Sequence, residues 1–185
     1  MATKVSNEVV QRHTVVQSPV GPIRLTSNGG ALTHLSMLDE GDPAALVAAD
    51  SCEILDLAAT ELAAYFQGTL RTFTVPLAPQ GTEFQQRVWN CLTQIPYGTT
   101  ISYLELATRA GNAKAIRAVG AANGRNPIGL IIPCHRVIGA NGTLVGYSGG
   151  LWRKVALLKL EGVNVPADQA PQRPDWAQPA EPLGV

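Results

Sequence analysis

The four residues Ala78-Pro79-Gln80-Gly81 divide this 185-residue chain into two parts with different hydrophobic periods. Before them, short alternating segments read as strands. These are His13–Gln17 and Ile23–Ser27, joined by Ser18-Pro19-Val20-Gly21-Pro22, and Ala31–Leu38 after the Gly29-Gly30 turn. Glu53–Phe66 has helical spacing, with Ile54, Leu57/Ala58, Leu62 and Tyr65/Phe66 on one face and Gly68 as its stop. Arg71–Leu77 alternates and reads as a further strand. After the linker, helical spacing dominates. Thr82-Glu83-Phe84-Gln85 has the spacing of a capping box, Phe84, Val88, Leu92 and Ile95 form one stripe, and Pro96-Tyr97-Gly98 ends the helix. Ser102-Tyr103-Leu104-Glu105 is a second capping box, opening a helix that stops at Gly111. Ala113–Asn123 follows, with Ile116, Val119/Gly120 and Asn123 on one face. A helix, a glycine turn and a second helix bearing Lys114 and Arg117 make a helix-turn-helix pattern. Ile128–Ile132 reads as a buried strand or extended segment, 139–150 as a glycine-rich loop, and Leu151–Leu160 as a last helix closed by Gly162.

The fold class is therefore α+β. A small α/β domain with an antiparallel sheet spans 1–80, and a mostly helical domain spans 81–165. A proline-rich tail, 166–185, reads as disordered or draped over the surface. Hydrophobic residues make up 45% of the chain, enough for a core and too many for a disordered polymer. No apolar run reaches membrane-spanning length, and residues 1–12 carry no apolar signal stretch, so a cytoplasmic protein is expected.

The net charge is zero, which at first sight excludes a polyanionic partner. Its distribution reverses that inference. Residues 83–162 carry about +6, residues 1–82 about −4, and residues 163–185 about −2. The excess of cations lies on the helix-turn-helix half. Cys52, Cys91 and Cys134 are an odd number without short spacing, so neither a disulfide framework nor a zinc site is expected.

Chemistry concentrates at Pro133-Cys134-His135-Arg136-Val137. A thiol becomes a nucleophile beside a base or a positive charge. Neighbouring side chains on a strand point to opposite faces, so Cys134 and His135 need a turn, a helix start or a bridging water to cooperate. From these five residues alone, Cys134 is equally readable as a small buried hydrophobe. Cys52 and Cys91, inside helical patterns, read as packing residues.

The surrounding sequence resembles the O6-alkylguanine-DNA alkyltransferases. The resemblance rests on Ser102-Tyr103, Gly111-Asn112-Ala113-Lys114-Ala115-Ile116-Arg117-Ala118-Val119-Gly120, Arg125-Asn126-Pro127, Ile132-Pro133-Cys134-His135-Arg136-Val137, Gly146-Tyr147-Ser148-Gly149-Gly150 and Leu160-Glu161-Gly162, in that order. It covers about residues 81–162 strongly. The N-terminal half is more loosely similar, through Ser18–Pro22 and Tyr65-Phe66-x-Gly68. The resemblance implies a ribonuclease-H-like N-terminal domain and a winged-helix C-terminal one. It implies direct reversal of DNA alkylation: an O6-alkylguanine, or an O4-alkylthymine, is extruded from the duplex and its alkyl group passes irreversibly to Cys134. His135 would be the base, acting through a water, with Glu161 behind it. Arg117 would fill the gap left by the flipped nucleotide, and Tyr103 would press on the neighbouring phosphate. Asn112, Lys114 and Ala118 would line the DNA, in a slim alanine-rich helix suited to the minor groove. Asn126 would tie the helix-turn-helix to the cysteine segment. Tyr147 and Ser148 would cover the base, and the Val137 carbonyl and Ser148 amide would read its edge. No cofactor and no metal are implied. The partner is duplex DNA, not a membrane, bound by a monomer that can act cooperatively.

The sequence departs from the family in three places. Leu160 stands where many members have histidine, Gly124-Arg125-Asn126 inverts an Arg-Gly-Asn order, and no N-terminal zinc ligands are present. Two other classes stay open from the residues. A lesion-binding or regulatory helix-turn-helix protein would not need the Cys134 thiol. A cysteine hydrolase would turn over.

Overall fold

The structure is a computed structural model that describes residues 11–46 and 49–174. β1 (Arg12–Val16), β2 (Ile23–Ser27) and β3 (Leu32–Met37) form an antiparallel sheet in the order β1-β2-β3. The β1–β2 register pairs Thr14 with Leu25, and the β2–β3 register pairs Leu25 with Leu35. Alternation is clean in β2, where Ile23, Leu25 and Ser27 point into the core. α1 (Glu53–Phe66) covers that face. Its buried side is Leu55, Ala58, Leu62 and Tyr65; Leu57, expected on this face, is exposed.

Arg71–Leu77 is not a strand, although Phe73, Val75 and Leu77 do turn inward. Its end does bond to the sheet: Leu32 N donates to Pro76 O and Ala78 N to Leu32 O, both at 2.8 Å, a parallel bridge between Leu77 and β3. The amides before it go elsewhere. The Glu61 carboxylate on α1 accepts the Thr74 amide at 2.9 Å, the Val75 amide at 3.1 Å and the Thr74 hydroxyl. Pro76 has no amide to offer. A buried carboxylate thus takes the donors that a neighbouring strand would have used.

Beyond the linker, α2 (Glu83–Leu92) starts with the expected capping box. Gln85 N donates to Thr82 Oγ1 at 3.3 Å and Thr82 N to Gln85 Oε1 at 2.8 Å. The box expected at Ser102 is only half formed. Ser102 Oγ caps Glu105 N, but the Glu105 side chain pairs with Arg109 at 2.6 Å instead. α3 (Tyr103–Arg109) and α4 (Ile116–Gly124) form the helix-turn-helix. α4 begins three residues later than its sequence pattern. Asn112 Oδ1 accepts the Lys114 amide and Asn112 O accepts the Ala115 amide, so Ala113 and Lys114 belong to a turn. Ile116, at the first turn of α4, is 40% exposed and does not share the buried face of Val119 and Asn123.

Ile128–Ile132 is likewise no strand. Leu130 has φ +72°, and the Ile131 amide reaches back to Gly129 O, a tight γ-turn that side-chain-bearing residues rarely adopt. A second three-residue turn at Pro133 brings the Cys134 amide to Ile132 O at 2.8 Å. Cys134–Arg136 is then a single turn of 3₁₀ helix. It leads into β5 (Val137–Ile138), which pairs in parallel with β4 (Ile101–Ser102). α5 (Leu151–Leu160) runs as expected and ends at Glu161. Of the tail expected over 166–185, residues 175–185 lie outside the described residues, and 166–174 run along the surface of the fold. This stretch follows the buried Val165 and makes a short 3₁₀ turn at Ala167–Gln169, and Gln169 accepts the Leu144 amide.

One continuous apolar core runs through both halves, from Val20 and Leu25 to Val88, Val119 and Leu157. The free edge of β3 is closed at Leu32 by the Leu77 segment and at Leu35 by the second half, through Leu35 N to Pro127 O at 2.8 Å. Arg153, buried at the start of α5, donates to the carbonyls of Val20, Leu38 and Gly149. These contacts fix the cysteine segment and the 139–150 loop against the sheet.

Candidate active site

Cys134 sits at the first residue of the 3₁₀ turn and is 4% exposed. The turn rotates successive side chains, so His135 and Arg136 point together toward the end of α5. There, Glu161 collects five donors. Oε1 accepts from His135 Nε2 at 2.9 Å, Tyr65 Oη at 2.8 Å and Arg136 Nη2 at 2.9 Å. Oε2 accepts from Arg136 Nε at 2.9 Å and the Gly98 amide at 3.2 Å. Gly98 is required here: a Cβ at that position would lie 2.8 Å from Glu161 O. The remaining guanidinium nitrogen of Arg136 donates to Ile95 O at 2.6 Å.

These bonds settle the protonation states. Burial alone would raise the Glu161 carboxyl, but the hydrogen bonds from His135 and Arg136 and the charge of Arg136 outweigh it and hold it at about 2. Burial drives His135 downward, against the pull of Glu161, so the imidazole is neutral. A neutral ring that donates from Nε2 has its lone pair on Nδ1. That atom is buried and has no hydrogen-bond partner among the described residues. The Cys134 thiol is pushed up by burial, with partial relief from the Asn126 side chain and the Lys154 ammonium. At rest the site therefore pairs a neutral thiol with a neutral base.

Asn126 bridges the segments as expected. Its Nδ2 donates to Ile132 O at 2.7 Å and its Oδ1 accepts the Ile128 amide at 3.1 Å. A cavity of about 330 Å³ opens over the sulfur, lined by Tyr103, Gly120, Asn123, Cys134, Tyr147 and Ser148. Tyr147 lines the cavity with the cysteine, and burial with the nearby sulfur raises its pKa well above normal. Tyr103, the first residue of α3, is half-buried on the opposite wall.

The other expected residues lie outside the cavity. Arg117 and Ala118 are exposed on the first turn of α4, and Asn112 and Lys114 on the turn before it. The Val137 carbonyl accepts from Lys154 Nζ at 2.7 Å, as Val145 O does at 3.1 Å, which leaves Val137 O a second lone pair. Lys154, Arg136 and Tyr65 are the residues that sequence reading missed as parts of the site. Lys154 is fully buried, and burial brings it down to about 8. Its signal was a lysine sharing a helix face with Leu151, Leu157 and Leu158. Among the described residues, no three histidine, cysteine or acidic side chains converge as a metal site would require. None of the helices there is long and apolar enough to cross a membrane.

A family profile described as the DNA-binding domain of 6-O-methylguanine DNA methyltransferase matches residues 83–163. A second, described as the ribonuclease-like domain of the same family, matches residues 11–79. The methylated-DNA–protein-cysteine methyltransferase of Mycobacterium tuberculosis is 49% identical over 157 residues, covering 84% of this chain and 95% of the relative. The crystal structure of the M. tuberculosis O6-methylguanine methyltransferase superposes with a TM-score of 0.75 at 48% identity, covering 86% of this chain and 97% of that one. The same M. tuberculosis protein in complex with DNA gives 0.73 at 47%, covering 86% and 94%. Both halves of the chain, the second of which holds Cys134, thus match a single kind of protein, and the chain belongs to the methylated-DNA–protein-cysteine methyltransferase family.

Proposed function

We propose that this protein repairs O6-alkylguanine in duplex DNA by moving the alkyl group onto Cys134, once per molecule. The observation that carries this reading is a buried, neutral Cys134 thiol next in sequence to a buried His135 whose Nε2 is held by Glu161 at 2.9 Å and whose Nδ1 has no partner among the described residues. Burial makes the thiolate costly until a substrate fills the cavity. On filling, the thiol proton passes to His135 Nδ1 through a water, the S–C bond forms, the C–O6 bond breaks, and the proton is returned to the guanine. The Lys154 charge favours the transient thiolate, and Glu161 favours the imidazolium. The thioether carbon is not activated toward water, because a thiolate is a poor leaving group, so the protein is consumed.

The reacting atom lies inside the base stack, so the base must be extruded. Arg117 and Ala118 on α4, with Asn112 and Lys114 before it, supply an exposed, slim and cationic surface for the minor groove. Arg117 fills the vacated space, Tyr103 faces the phosphate of the extruded nucleotide, and Tyr147 and Ser148 close over the base. The protein acts as a monomer in the cytoplasm and needs no cofactor. Quantifying repaired guanine against protein with excess duplex O6-methylguanine oligonucleotide tests the reading. The expected yield is one guanine per protein; continued turnover, or no repair, would overturn it.

A further inference from the structure

Among the described residues, Tyr65 is the one side chain of the N-terminal half that hydrogen-bonds Glu161. It lies on α1 and is fully buried. Its ring is boxed in by Phe66 and Phe73, with centroids at 5.4 Å, and by Tyr97 at 6.1 Å. Phenylalanine would serve that packing as well. The hydroxyl is what leaves the apolar core, and it donates to Glu161 Oε1 at 2.8 Å. Burial, and after it the neighbouring carboxylate, push the Tyr65 phenol well above its ordinary range, so it stays a donor.

Oε1 is also the oxygen that holds His135 Nε2 and Arg136 Nη2, both at 2.9 Å. Each donor draws off part of the carboxylate's negative charge, and the share that Tyr65 takes is not available to the imidazole. With one donor fewer, Glu161 would favour the imidazolium more strongly and keep the ring protonated to higher pH. A protonated ring cannot accept the thiol proton. The other titratable or charged groups facing the pair are Arg136, Lys154, Cys134, Tyr147 and Tyr97. Arg136 and Lys154 already oppose the imidazolium, Cys134 and Tyr147 are neutral, and the Tyr97 hydroxyl is bonded elsewhere, to Leu160 O at 3.1 Å. We infer that Tyr65 is a positioning residue through which the N-terminal half keeps His135 unprotonated and able to serve as the base. The inference rests on the proposed function, because it needs His135 to take the thiol proton. Tyr65 does not line the cavity over the sulfur; it acts through Glu161.

The test is the pH dependence of single-turnover transfer from duplex O6-methylguanine by the full chain, for the wild type, Tyr65→Phe and Tyr97→Phe. Tyr65→Phe keeps the ring and removes the donor. Its acid limb should lie about 0.5–1 pH unit above that of the wild type, which makes transfer on that limb about 3- to 10-fold slower. Above the limb the two rates should agree within about threefold. Tyr97→Phe loses a hydroxyl that does not touch Glu161 and should keep the wild-type limb. The midpoint of a limb is insensitive to partial loss of folded protein, which scales the rate equally at every pH. NMR titration of the His135 ring in the absence of DNA gives a second reading, with the same upward shift expected in Tyr65→Phe. A Tyr65→Phe midpoint that is unchanged or lower, or that moves no further than that of Tyr97→Phe, would overturn the inference. If the wild type transfers no methyl group, the proposed function fails instead, and the ring titration alone decides whether Tyr65 sets the charge state of His135.

Discussion

The reaction centre and the first turn of α4 treat their polar groups in opposite ways. At the centre, Glu161 takes five donors, Arg136 spends every guanidinium nitrogen on the protein, and Lys154 holds two carbonyls. At α4, Arg117 and Lys114 are exposed, and among the described residues their side chains make no hydrogen bond or ion pair. Reactivity is thus set inside the protein, while recognition is left for a partner to complete. The contrast also corrects the charge argument. Of the nine cations between residues 83 and 162, Arg136, Arg153 and Lys154 are buried and internally bonded, and Arg109 pairs with Glu105. The regional charge overstates what DNA can feel. The grip expected is modest and sensitive to salt.

The largest effect should come from breaking the saturated region. Glu161→Gln leaves Arg136 buried without its counter-charge, and a loss of about 3–5 kcal/mol in unfolding free energy is expected. Urea denaturation measures it. A loss below about 1 kcal/mol would mean that the cluster is not the anchor described here. Titration gives the same term without a mutation. Glu161 is held at about 2 against an ordinary value of 4.5. Its contribution is present above pH 4.5 and disappears as the pH falls from about 4.5 to 2. Wild-type stability should therefore drop through that window more steeply than that of the Gln variant.

On the exposed side, Arg117→Ala should leave unfolding unchanged within about 0.5 kcal/mol. It should slow repair of duplex DNA about 100-fold, the cost of leaving an extruded base's gap unfilled. Reaction with free O6-methylguanine base should be unaffected. Equal losses on both substrates would place Arg117 in the chemistry and erase the contrast. The smallest effect is expected from Lys114→Ala: a few-fold weaker binding to any duplex, with the slope of log affinity against log salt reduced by about 1. An unchanged slope would remove Lys114 from the DNA surface.

The legible parts of the sequence were those whose partners lie nearby. Thr82 and Gln85 cap each other across three residues, and Glu53–Phe66 and Leu151–Leu160 carry their own period and stops. Misreadings arose where a distant or competing group captured the backbone. Glu61 takes the amides of Thr74 and Val75, Asn112 holds Lys114 outside α4, and Arg109 draws Glu105 away from its cap. The same rule applies to the site. Cys134, His135 and Asn126 stand out in a short motif. Tyr65 reaches Glu161 across 96 residues of chain, and only the fold brings them together.

The central claim is that the buried, relay-supported thiol of Cys134 is where the alkyl group goes. Peptide mass mapping after reaction with duplex O6-methylguanine tests it most directly, run beside Cys134→Ser. The account predicts a single methyl group per molecule, on the peptide holding Cys134, and none on any peptide of the serine variant, which should still bind the duplex. A methyl group on Cys52 or Cys91, or repair that persists in the serine variant, would contradict it.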